Sequence, residues 1–145
     1  MNSHCSAIAN YLRRTALYVA LVCASSVHAQ LAVTVSPPKV VGQKAVVPLA
    51  MKNGLSEKVE SARAVVFLLD EQGKMVGQAT RWVIGGSNTN GLAAGATNAF
   101  HFVVTADKQF ATTNLTARVS FSRIVLEGGK LADVAKQVTV AAAAK

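Results

Sequence analysis

Beyond residue 29 the chain has no cysteine and a single histidine, His101. Cys5, Cys23, His4 and His28 all lie in the first twenty-nine residues. The remaining 116 residues therefore cannot form an internal disulfide and must rest on an apolar core alone. Thiol chemistry is excluded from that region, and no His/Cys/Asp cluster has the spacing of a metal site. No cofactor is expected. A Ser-His-Asp arrangement would have to be built on His101, which lies between Phe100 and Phe102 and reads more plainly as a surface histidine. No Gly-x-Ser-x-Gly elbow occurs, and Gly85-Gly86…Gly91 lacks the Gly-Lys-Ser/Thr of a phosphate loop. Acids are scarce: of seven, Asp70-Glu71 and Glu57/Glu60 fall in expected turns, where solvation and turn chemistry account for them. The composition points away from an enzyme.

The first residues carry a different pattern. Arg13 and Arg14 precede the apolar run Thr15 to Ser25 (TALYVALVCAS), and Val27-His28-Ala29 is a small-x-small site before Gln30. That order of charge, apolar run and cleavage site is the pattern of a secretory signal peptide, 1–29, cleaved after Ala29. The run is too short for a spanning helix, which needs about 20 apolar residues, so no permanent membrane anchor is expected. The context of Arg13-Arg14 fits twin-arginine export poorly, and Val22 is too large for a lipid-modified Cys23. The expectation is a secreted or periplasmic protein. Without Arg13 and Arg14 the fifteen basic residues fall to thirteen against seven acidic ones, a net charge near +6.

From residue 30 to 145 the chain reads as one all-β domain. Leu31, Val33 and Val35 alternate with Ala32 and Thr34, the period-two signal of a half-buried strand. Ser36-Pro37-Pro38 ends it. A second strand runs about 44–52 with Pro48 inside, which predicts an edge strand or bulge there. Ala62 to Leu69 (ARAVVFLL) reads as a central strand. A turn containing Gly73 joins it to Met75 to Ile84. Further strands are expected over 98–105 and 115–126. Gly128-Gly129 predicts a hairpin turn that sends the last element back antiparallel, with Glu127 and Lys130 paired across it. Leu131, Val134, Ala135 and Val138 fit a helical stripe, whereas Val138 and Val140 fit a strand; strand is chosen. About seven strands with regular turn signals predict a single immunoglobulin-like antiparallel β-sandwich with Greek-key connections. There is no Cys–Trp–Cys arrangement, so the likeness is one of topology.

Val66-Phe67-Leu68-Leu69-Asp70 followed by Glu71-Gln72-Gly73-Lys74 resembles the F-x-L-Y-D segment of bacterial FxLYD-type domains. Gly91-Leu92-Ala93-Ala94-Gly95 before Phe100-His101-Phe102 is similar to that family's L-x-x-G turn, and Met51-Lys52-Asn53-Gly54 to its N-x-G strand end. The match covers roughly residues 45 to 105. Val66 and Leu69 depart from the family's Phe and Tyr. The resemblance implies a fold and a bacterial envelope setting, and no activity.

What remains is a basic surface. Arg63, Arg81, Arg118 and Arg123 all lie in expected strands, and Arg118 alternates with apolar residues and so faces water. Such a face suits an acidic polymer, a lipid headgroup or a protein partner, although solubility alone would also explain it. Nucleic acid is not expected for an exported chain. Trp82 is expected in the core, with a sugar-stacking platform as the rival role. The small-residue loop 85–97 adds Asn88 and Asn90, so the candidate contact surface is Arg81, Trp82, Arg118, Asn88 and Asn90. The functional expectation is an exported, non-enzymatic binding or scaffold module. The alternative is a subunit or chaperone of a surface fibre acting through an edge strand, with Leu31 to Ser36 as a donor segment.

Overall fold

The computed structural model describes residues 29–86 and 90–144. The expected leader, apart from Ala29, and Asn88 lie outside the described residues. The strands are β1 (Leu31–Val35), β2 (Lys39–Val41), β3 (Lys44–Asn53), β4 (Val59–Leu69), β5 (Met75–Ile84), β6 (Thr97–Thr105), β7 (Thr116–Leu126), β8 (Lys130–Leu131) and β9 (Val138–Ala142). A one-turn helix, α1 (Val134–Gln137), precedes β9. The strands form two sheets packed as a sandwich. In the first, β3 lies between β6 on one side and the β1–β2 line on the other, and β9 lies outside β1. In the second the order is β5-β4-β7-β8.

The period-two pattern accounts for the core. Leu31, Val33 and Val35 of β1, Val47, Leu49 and Met51 of β3, Val66 and Leu68 of β4, and Phe102 and Val104 of β6 all point inward and are buried. Their alternate neighbours stay exposed or half-buried. The two sheets so hold one continuous apolar layer, the arrangement expected of a sandwich.

Pro48 is not at an edge. It lies in β3, with His101 of β6 as its cross-strand partner. The Pro48 carbonyl accepts from Ser36 N–H at 2.9 Å, so its backbone polar groups face the β1–β2 line. That line is broken at Ser36-Pro37-Pro38. The N–H that proline lacks therefore faces Ser36, the last residue to bond β3 from that side before the Pro37-Pro38 break.

The last element also departs from expectation. Gly128 and Gly129 take φ of 75° and 78°, and the turn does send the chain back along β7, but only for the two residues of β8. Asp133 then caps α1, its carboxylate accepting from Ala135 N–H at 3.2 Å. The chain crosses to the other sheet, where β9 pairs parallel with β1, from Leu31↔Val138 to Val35↔Ala142. Helical stripe and strand are thus both present, one after the other. Lys130 pairs with Glu57, at 2.5 Å, rather than with Glu127.

Candidate functional site

The outward face of the second sheet is set by register. Trp82, Arg63 and Arg123 form one row across β5, β4 and β7; Thr80, Val65 and Ser120 form the next; Gln78, Phe67 and Arg118 a third. Three arginines and the tryptophan therefore share one wet face. Trp82 is 44% exposed, so the expectation of a core tryptophan is overturned: its partner Arg63 points outward, and Val83 and Ile84 take the buried positions beside it. The Arg63 guanidinium carbon stands 6.0 Å from the Trp82 ring centroid, a cation–π distance.

Electrostatically this face is one-signed. No acid occurs in those three rows. The two ion pairs among the described residues, Lys130–Glu57 and Lys136–Asp133, involve no arginine. Glu60 lies at the rim, in a shallow depression with Ser61, Trp82, Gly85 and Gly86, and its carboxylate accepts from Gly128 N–H at 3.3 Å. Arg63 and Arg123 are direct cross-strand partners. Like charges placed directly opposite are destabilising. The strand is irregular there: Arg63 pairs with Arg123 but Ala64 with Phe121, so Ser122 is an extra residue in β7, with its hydroxyl 3.3 Å from the Arg63 carbonyl it donates to.

The other expected contact residues are dispersed. Arg118 is on this face, about 13 Å along the strands from the Trp82 row, given four residues at ~3.3 Å each. Arg81 pairs with Ala64, whose side chain is buried, so Arg81 leaves the opposite side of β5 and donates to the Thr80 carbonyl at 3.2 Å. Asn90 is exposed in the β5–β6 connection. That connection is held down at its far end. Leu92 is buried and bridges to Val59, and the buried Asn53 donates to the carbonyls of Glu57 (2.9 Å) and Leu92 (3.0 Å). Its Oδ1 accepts from Leu55 N–H at 3.0 Å. Arg63 and Arg123 lay in the expected strands, but nothing short of register could place them beside Trp82.

A second feature is the open side of the sandwich. β8 and the adjoining Ala132 N–H reach only Ile124 to Leu126 of β7, so among the described residues Thr116 to Arg123 has no strand partner on that side. The facing edge of the other sheet is β9. Between them runs a groove of about 560 Å³, lined by Val35, Pro37, Leu115, Ala117, Val119 and Val140 among others. β1, by contrast, is paired on both sides and offers no free donor strand.

Among the described residues no three or more His, Cys, Asp or Glu stand close enough to hold a metal ion, and no helix is long and apolar enough to cross a membrane. No family model and no curated protein matches the chain.

Proposed function

We propose that this chain is an exported, non-enzymatic binding module of the bacterial envelope, which holds an anionic polymer on the outer face of its second sheet. The export and envelope setting follow from the leader pattern and the FxLYD-type resemblance. The observation that carries the binding role is the Arg63↔Arg123 pair, two like charges set directly opposite with Trp82 completing the row. Held there by the strands, the two guanidiniums present donors to one bridging carboxylate, sulfate or phosphate, which would relieve their repulsion. Trp82 adds a flat apolar surface against which a sugar ring can stack. Arg118 extends the positive strip along the sheet, as a chain ligand requires.

The test is binding of the mature protein to a polyuronate and to vesicles containing an anionic phospholipid. Arg63→Ala and Arg118→Ala are each expected to weaken binding several-fold, and Trp82→Ala to weaken the polyuronate alone. Binding that is undetectable in the parent, or unchanged in the arginine variants, removes this function.

A further inference from the structure

We propose that the bare edge of β7 accepts an extended partner segment as an added strand, and that this segment alternates small apolar residues with acidic ones. Strand addition needs an unpaired ladder and a place for alternate side chains. Both are present: on the side away from β4, Thr116 to Arg123 has no strand partner among the described residues, and the groove beneath it is lined by Leu115, Ala117 and Val119. Side chains directed inward by a new strand would meet Ala117 and Val119 and must be apolar. Those directed outward would stand beside Arg118, which has no ion-pair partner among the described residues, and an acidic residue there is the favourable cross-strand neighbour.

The chain's own sequence argues against filling this edge itself. Carried forward along β7, the register of β8 would set Gln137 opposite Val119, or Lys136 once the extra residue Ser122 is skipped. Either would bury a polar or charged group against an apolar floor. A second copy fits no better. The chain carries a formal net charge of +8, and no two of its seven acids stand two residues apart. It therefore has no segment of the required alternation, and two copies repel. The occupant is a different, acidic polypeptide.

Two synthetic seven-residue peptides alternating valine or alanine with either glutamate or lysine provide the probe. Fluorescence anisotropy gives affinity, and amide hydrogen exchange of the folded protein gives location. The expected result is binding of the glutamate peptide with slowed exchange at amides within Thr116 to Phe121, and little binding of the lysine peptide. Arg118→Glu, a surface change, should reverse the preference by about tenfold, whereas Arg63→Ala should leave peptide binding intact while weakening polyanions. Equal binding of both peptides, binding without protection of β7, or protection of β7 by self-association of the protein alone would each overturn the inference. Failure here leaves the cationic face untouched, since that face is read from polyuronate binding.

Discussion

Asn53 is the one polar side chain buried in the core among the described residues. Its amide and carbonyl together tie the end of β3 to Leu55, Glu57 and Leu92. Asn53→Ala leaves the Leu55 N–H without its acceptor and frees the loop ahead of β6, so it should lower unfolding stability by about 3 kcal/mol in urea titration. Arg123→Glu carries the opposite sign. It replaces a like-charge neighbour of Arg63 with an opposite one and should stabilise the fold by about 0.5–1 kcal/mol. The same change should weaken polyanion binding, a trade of stability against function. Lys130 yields a pH dependence. Its side-chain hydrogen bond to Glu57, then the Coulombic attraction, raises its pKa above the ordinary 10.5. A raised amine stabilises the fold below that value and loses the contribution as pH climbs through the folded pKa. The alkaline melting profile should therefore show a small loss that Lys130→Met abolishes.

At the scale of elements, β9 is the informative one. Its only strand neighbour is β1, and most of its length is exposed. Truncation after Gln137 should lower the melting temperature by about 5 °C or more. It should also produce concentration-dependent association in sedimentation, because β1 then becomes a bare edge with alternating Leu31, Val33 and Val35. The strongly alternating strands β1, β6 and β7 were legible in sequence because period two is local. The partner of β9 was not. Val138 and Val140 mark a strand, but nothing local decides between continuing along β7 and crossing to β1; Asp133 as a helix cap and the polar pair Lys136-Gln137 decide it. Pro48 misled for a related reason, since its tolerance depends on a break in a neighbouring strand. The candidate face is half legible: alternation puts Arg118 outward, but nothing local sets the side of Trp82, and large aromatics commonly fill sandwich cores. Arg81 follows the opposite parity to Trp82 and so leaves the group.

Across the whole molecule, charge and topology act together. A net excess of basic residues with three arginines on one sheet face gives a directed positive field. Polyuronate affinity should accordingly fall about tenfold or more between ~50 and ~200 mM salt, measured by titration calorimetry. The parallel union of β1 with β9 has a further bearing on how the protein is made. Residues at opposite ends of the domain become neighbours, so the first sheet cannot be completed until Ala142 is available to pair. A chain that folds from its N-terminal end leaves this seam open until last.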